Sequence, residues 1–225
     1  MALSPYSVFD SLYAEVMADL PYDAWFAYLA RHIPPNSPRP LAELFSGPAR
    51  LTHAALNAGY RCIAVDRHRA FLKCGVAADA LHLPFGRETF AALAATNASL
   101  NYLPHAAALA QHLAECSRVL ESGGVYVFDV CPPGRALNLT AHTYTALAGK
   151  VRFAHRYESP LLTTTVTISG NGVHEEIHEQ YIFTDAEIRS TAAAAGFEVR
   201  TSAENYGLPV TGNNVPVVTW VLCKP

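Results

Sequence analysis

Leu41-Ala42-Glu43-Leu44-Phe45-Ser46-Gly47-Pro48 and Arg61-Cys62-Ile63-Ala64-Val65-Asp66 are the two stretches that decide the fold of this chain. Each opens as a short apolar run, and between them Arg50 to Ala58 has the pattern of a helix closed by Gly59. The unit reads strand, tight turn, helix, strand, Asp. Asp66 stands 23 residues after Glu43. A carboxylate about 20 residues past a glycine turn is the spacing of a nucleotide site. It accepts hydrogen bonds from both ribose hydroxyls, while the turn lets backbone approach the ligand and a helix N-terminus faces it. The full GxGxxG pattern is missing, which argues against a dinucleotide pyrophosphate. A local alternative for Asp66 is a simple cap on the helix that follows.

Outward from this unit, the alternation continues. A helical stretch spans about Arg67 to Cys74, Val76 to Asp79 reads as a brief strand, and Phe90 to Thr96 is a further apolar run. Ala106 to Leu120 is an amphipathic helix ending at Gly123-Gly124, and Val125 to Val130 is a strongly apolar strand. Strand and helix in turn predict an α/β domain with a mostly parallel sheet. The period then changes. Val151 to Ser159, Leu161 to Ser169 and Val173 to Phe183 are strands joined by turns at Ser159-Pro160 and Gly170-Asn171-Gly172, so an antiparallel insertion is expected at about 151–183. Thr184-Asp185-Ala186-Glu187 opens a helix as a capping box, and that helix ends at Gly196. Phe197 to Ser202 and Val215 to Cys223 are the last strands. At the other end, Tyr6 to Arg31 is helical, and the proline-rich stretch Pro34 to Pro40 separates it from the rest.

Composition narrows the function. The 225 residues are 51% hydrophobic and 16% charged, with 16 basic against 19 acidic side chains. The longest basic patch is Arg67-His68-Arg69, too short for a broad grip on nucleic acid. No apolar run approaches the roughly 18–20 residues that span a bilayer, and Met1 to Tyr6 lacks the basic start of a signal peptide. Five scattered cysteines without a CxxC pair read as reduced thiols. A cytoplasmic protein with no membrane or nucleic-acid partner is the expectation.

The ordered motifs resemble the class I S-adenosylmethionine-dependent methyltransferase family, of the small-molecule type. Glu43-Leu44-Phe45-Ser46-Gly47-Pro48-Ala49 is similar to its first motif, with Phe45 and Ala49 in place of two of the glycines. Asp66 matches the second acidic position, and Ala78-Asp79-Ala80-Leu81-His82-Leu83-Pro84-Phe85 the third. Thr96-Asn97-Ala98-Ser99-Leu100-Asn101-Tyr102-Leu103, Arg118-Val119-Leu120-Glu121-Ser122-Gly123-Gly124 and Ala194-Ala195-Gly196-Phe197 resemble later junctions of that fold. The resemblance implies a Rossmann-like seven-stranded sheet with helices on both faces, a helical lid at 1–38 and a methyltransferase domain at 39–225. It implies S-adenosylmethionine as cofactor. Phe45, Ser46 and Gly47 would pass its methionine part, with Glu43 toward the ammonium. Asp66 would take the ribose, Asp79 and Ala80 the adenine, and Thr96 and Asn97 the sulfonium end. Phe45 and the stretch of only 13 residues from Asp66 to Asp79 motivate an alternative, a non-catalytic or repurposed protein of this fold.

On the acceptor side, His174, Glu176 and His178 project from one face of a strand. That pattern suits a zinc or iron triad, the wet face of a sheet, or a group that orients or deprotonates an acceptor. No metal is expected. His178 is the candidate for the acceptor role, since its unperturbed pKa lies near neutrality, and Tyr102, in the loop after the fourth strand, is the other catalytic candidate, its ring placed to attract a sulfonium. His155 and Tyr157 share the same pocket hypothesis. Tyr6, Phe9, Tyr13, Tyr22 and Trp25 are either plain helix packing or a lid whose aromatic faces attract a sulfonium.

Overall fold

The computed structural model describes residues 5–34, 37–72, 74–146, 149–170, 172–209 and 216–225. Two helices come first, α1 (Asp10–Val16) and α2 (Tyr22–Ala30). There follow β1 (Leu41–Leu44), α3 (Arg50–Asn57), β2 (Cys62–Asp66), β3 (Val76–Ala77), β4 (Phe90–Ala95), α4 (Ala106–Val119) and β5 (Leu120–Val130). A single turn, α5 (Pro133–Ala136), leads to β6 (His142–Ala146), β7 (Gly149–Glu158), β8 (Leu161–Gly170) and β9 (Gly172–Tyr181). The chain closes with α6 (Asp185–Ala194), β10 (Glu198–Glu204) and β11 (Val218–Cys223).

Seven strands form one sheet in the order β10-β11-β5-β4-β1-β2-β3. From β3 to β5 every pair is parallel, and β11 runs antiparallel to both of its neighbours. β1 therefore lies between β2 and β4, with Glu43 opposite Ala64 on one side and Ala94 on the other. All six residues of β4 are buried, as a strand covered on both faces requires. Side chains alternate between two cores. Leu44, Leu93, Tyr126 and Phe128 pack with Leu109 and Leu113 of α4 and with Ile188 and Ala192 of α6. Leu41, Ala92, Val125 and Val127 pack with Trp25, Phe26 and Leu29 of α2 and with Leu51, Ala54 and Ala55 of α3. Burying each large apolar side chain contributes about 1.5–3 kcal/mol, so the period of two along the strands specifies which helix lies on which face.

The second sheet has the order β6-β7-β8-β9 and is antiparallel throughout. Its inner face carries Val151, Phe153, Val166 and Ile168, which bury Phe9 and Leu12 at the start of the chain. The N-terminal segment is thereby fastened to the insertion.

Four local expectations need correction. The insertion has four strands rather than three, because β6 reads His-Thr-Tyr-Thr-Ala, mostly exposed and with no apolar alternation to reveal it. Between Arg67 and Cys74 only Arg69–Phe71 is helical, as one 3-10 turn, and Lys73 lies outside the described residues. The helix α4 stops at Val119, and Gly123-Gly124 belong to β5 instead of closing the helix. A Cβ on Gly124 would stand 2.8 Å from the Glu121 carbonyl oxygen and 3.1 Å from that of Ala91, so glycine there serves close backbone packing. The last strand begins at Val218; Val215, where it was expected to start, lies outside the described residues.

Candidate functional site

The carboxyl ends of β1, β2, β4 and β5 meet along one edge of the parallel sheet, and the loops that leave them carry the chemistry. In the loop after β1, Phe45, Gly47 and Ala49 have φ of +53°, +49° and +58°. Three alternate positions therefore keep the left-handed backbone that glycine favours, although two of them bear side chains, at about 1–3 kcal/mol each. The Phe45 ring meets the buried His112 ring edge-on at 5.5 Å and packs against the main core. The loop is tied to β2. Ser46 N–H donates to the Val65 carbonyl at 3.0 Å, and Gly47 N–H donates to Oδ2 of Asp66 at 2.8 Å. The other oxygen of Asp66 accepts from His68 N–H at 2.7 Å. Each oxygen thus holds one backbone amide and keeps lone-pair capacity for another donor.

Glu43 faces α3. Its Oε2 accepts from both the backbone N–H and the hydroxyl of Thr52, at 2.7 and 2.6 Å, in the first turn of that helix. Burial pushes its pKa up to about 7, against the lowering effect of the Thr52 and Leu51 donors. Ala80 is buried and its carbonyl bonds Nδ1 of His112 at 3.0 Å. Asp79 is exposed just past β3, with Oδ1 accepting from Leu81 N–H. Thr96 is buried at the end of β4. Asn97 and Ala98 follow at φ +62° and +55°, both amides donating to the carboxyl of Asp129. From that turn, Asn97 Nδ2 donates to the Tyr13 hydroxyl at 3.0 Å.

The insertion supplies the opposite wall. Tyr6 donates its hydroxyl to Tyr102 Oη at 3.1 Å, Tyr102 lies 2.9 Å from Nδ1 of His178, and Nε2 of His178 lies 3.2 Å from Glu176. With Nε2–H directed at the Glu176 carboxyl, Nδ1 is the acceptor for Tyr102. Burial lowers the His178 pKa, and Glu176 only partly opposes this, so the ring is neutral at pH 7. Glu176 also accepts the backbone amides of Tyr6, Val8 and Phe9. The Tyr6 ring packs within 6 Å of those of Tyr13, His68, Phe71, Tyr102 and His178. Tyr13 in turn reaches Gly47, its Cε1 lying 3.6 Å from where a Cβ would stand.

The residues singled out in the sequence therefore fall into two joined groups. Gly47 meets Asp66, and Tyr102 meets His178, with Asn97 and Tyr13 between them. Asp79 takes its hydrogen bonds from Leu81 and His82 in its own turn, and His155 bonds Thr164 within the second sheet and stacks on His142. His174, Glu176 and His178 do share one face, but Glu176 is committed to amides and to His178. Among the described residues no cluster of three or more His, Cys, Asp or Glu is arranged to hold a metal. Thr52, Asp129 and Tyr206 were not foreseen. Asp129 had a signal: like Asp66, it is an acid near the end of a strongly apolar strand.

The site fits a polar, cationic nucleoside ligand. Ser46 Oγ and His68 Nε2 are buried without a partner, one after β1 and one after β2, on either side of the Gly47–Asp66 bond. Five other buried polar atoms among the described residues are also unpartnered, Trp220 Nε1 and His155 Nε2 among them, so it is the position of Ser46 and His68 beside the Gly47–Asp66 bond that makes them available to a ligand. The Asp66 carboxyl and the rings of Tyr6, Tyr13 and Tyr102 suit positive charge.

Residues 43–128 match the family described as methyltransferase domain. The chain has the fold of the class I S-adenosylmethionine-dependent methyltransferases. A Clostridium acetobutylicum S-adenosylmethionine-dependent methyltransferase is similar at TM-score 0.79 and 18% identity, covering 97% of this chain and 98% of that one. The sugar N-methyltransferase KedS8 of a Streptoalloteichus species is similar at TM-score 0.74 and 21% identity, over 100% and 94% of the two chains. CalS10 of Micromonospora echinaspora, an amino pentose methyltransferase solved with S-adenosylmethionine bound, is similar at TM-score 0.72 and 16% identity, over 100% of both. No curated protein matches in sequence. In this methyltransferase fold the loop after β1, the end of β2 and the turn after β4 share one edge, where ligands of open α/β sheets bind. Among the described residues no helix is long and apolar enough to cross a membrane.

Proposed function

We propose that this protein transfers a methyl group from S-adenosylmethionine to a nitrogen or oxygen of a small-molecule acceptor. The observation that carries the reading is the Gly47–Asp66 tie, flanked by two unpartnered buried polar atoms and roofed by Tyr6, Tyr13 and Tyr102. When bound, the cofactor supplies a sulfonium methyl open to in-line attack. Asp66 takes the ribose hydroxyls, and Asp79 with the Ala80 amide takes the adenine. Ser46, Gly47 and the backbone of Phe45 line the methionine part, with Glu43 beneath it. Thr96 and Asn97 border the sulfonium. Alignment and exclusion of water provide most of the acceleration in such a displacement, and the tyrosine rings supply both.

The acceptor lies between the N-terminal helices and the second sheet, beside Tyr102 and His178. An amine arrives neutral and needs only orientation; a hydroxyl needs a base. His178 meets that need through Tyr102. As the acceptor proton moves to Tyr102 Oη, the Tyr102 proton moves to Nδ1 of His178, and the imidazolium that forms is stabilised by Glu176. The sugar and amino pentose acceptors of KedS8 and CalS10 support a small polar acceptor here. The lack of a broad basic run supports the same choice over nucleic acid, and five free cysteines support a reducing, cytoplasmic setting.

Calorimetric titration with S-adenosylmethionine tests the cofactor, with micromolar binding expected. The absence of binding would move the protein to the non-catalytic reading. His178→Ala, assayed by product mass against a panel of amino sugars, is expected to lose turnover and keep cofactor binding. Unchanged turnover would remove His178 from the mechanism.

A further inference from the structure

We propose that Asp129 is a positioning residue: it holds Asn97 and Ala98 in the left-handed turn that aims Asn97 at Tyr13 and at the cofactor edge. The inference rests on the cofactor site described above but concerns a side chain outside it.

Asp129 is fully buried near the end of β5, between apolar neighbours, opposite Thr219 of β11. A carboxyl group is costly to bury there, and nothing in the packing of the sheet calls for one. What it holds is specific. Oδ2 accepts Asn97 N–H at 2.9 Å, and Oδ1 accepts Ala98 N–H. Those are two consecutive non-glycine residues at positive φ, a conformation that costs each of them stability and that needs outside support to persist. Both amides lie beyond the end of β4, where no neighbouring strand is paired with them, so Asp129 replaces the missing strand. Its third donor is the Tyr206 hydroxyl. The Tyr206 ring stacks on Trp25 of α2 at 5.2 Å, and Tyr206 N–H is held by Thr219 Oγ1 at 2.9 Å. One carboxyl group therefore joins the turn after β4, the helix α2 and the segment before β11. From the turn, Asn97 Nδ2 reaches the Tyr13 hydroxyl of α1. Ser99 Oγ to the Thr96 carbonyl and Asn101 N–H to the Ala98 carbonyl also brace the turn, but Asp129 is what accepts the Asn97 and Ala98 amides themselves; without it those amides turn toward other acceptors, and the turn relaxes so that Asn97 swings off both Tyr13 and the sulfonium edge.

The test uses the full chain and reads both the turn and the ligand. In the wild type, amide hydrogen exchange is expected to show Asn97 and Ala98 strongly protected although neither belongs to a strand; exchange at the rate of an open loop would overturn the proposal without any variant. Asp129→Asn offers one acceptor and one donor where two acceptors are needed. It is expected to lose that protection and to weaken calorimetric binding of S-adenosylmethionine about 10–100-fold. Adding Ala98→Gly to Asp129→Asn removes the steric reason for the turn to relax. The double variant is expected to recover most of the lost affinity, which a merely structural role of Asp129 does not predict. Wild-type-like affinity in Asp129→Asn, or no recovery in the double variant, would overturn the positioning role. No binding by the wild type would instead remove the cofactor reading and leave the exchange result to judge the turn.

Discussion

Glu43 makes stability depend on pH in a direction opposite to most carboxylates. Its pKa rises from 4.5 to about 7 because burial penalises the charged form more than the Thr52 and Leu51 donors favour it. The folded protein therefore binds more protons at this position than the unfolded chain between those two values. Stability from Glu43 is fully present below pH 4.5 and is lost as pH rises through 7. Carrying the carboxyl from 4.5 to about 7 is linked to roughly 3 kcal/mol of stability. Asp129, pushed up by burial to about 6, adds a slope of the same sign at lower pH. The perturbation is Glu43→Gln, which keeps an acceptor for Thr52 and cannot ionise. Urea denaturation at steps from pH 4.5 to 8 is the assay. The wild type is expected to lose about 3 kcal/mol more than the variant across that window, whatever constant offset the amide introduces at Leu51. Parallel curves would show that Glu43 ionises normally and that its burial against α3 is misjudged.

Asp66→Ala should weaken S-adenosylmethionine binding by roughly 2–4 kcal/mol in calorimetry, since it removes charge-assisted bonds to the ribose and frees the Gly47 amide; affinity equal to wild type would contradict the ribose assignment. Phe45→Gly relieves about 1 kcal/mol of left-handed strain and gives up the contact with His112. Loss of the ring from the main core outweighs that relief by about 2–3 kcal/mol, so its melting temperature should fall by roughly 4–12 °C, while cofactor affinity should be equal or better; a large loss of affinity in a folded variant would make Phe45 part of a remodelled site. Thr184→Ala breaks the capping box with Glu187 at the start of α6 and should cost about 1 kcal/mol, a fall of ~2–4 °C in scanning calorimetry, with turnover unchanged.

How much was legible can be followed residue by residue. The unit from Leu41 to Asp66 is readable because each of its signals is local: apolar runs, a glycine turn and an acid at the strand end. The capping box at Thr184 and the amphipathic α4 are readable for the same reason. β6 was not, because two threonines, a tyrosine and a histidine on an exposed edge strand show no period. Nor was the missing helix after Asp66, where the chain instead takes a 3-10 turn into the two-residue strand β3.

The same division runs through the site. Spacing alone placed Gly47, Asp66 and Asn97 at strand ends, and the parallel sheet then put them on one edge. Tyr102 and His178, 76 residues apart, become neighbours only when the second sheet packs beside the first. Glu176 takes the amides of Tyr6, Val8 and Phe9 across about 170 residues of chain, and Asp129 meets Tyr206 across 77. The sequence by itself determined the alternating core and the order of its motifs, since periodicity and turn chemistry act within a few residues. Only the tertiary structure decided what the buried acids hold, because a carboxyl group taken out of water must find its donors wherever the packed chain presents them.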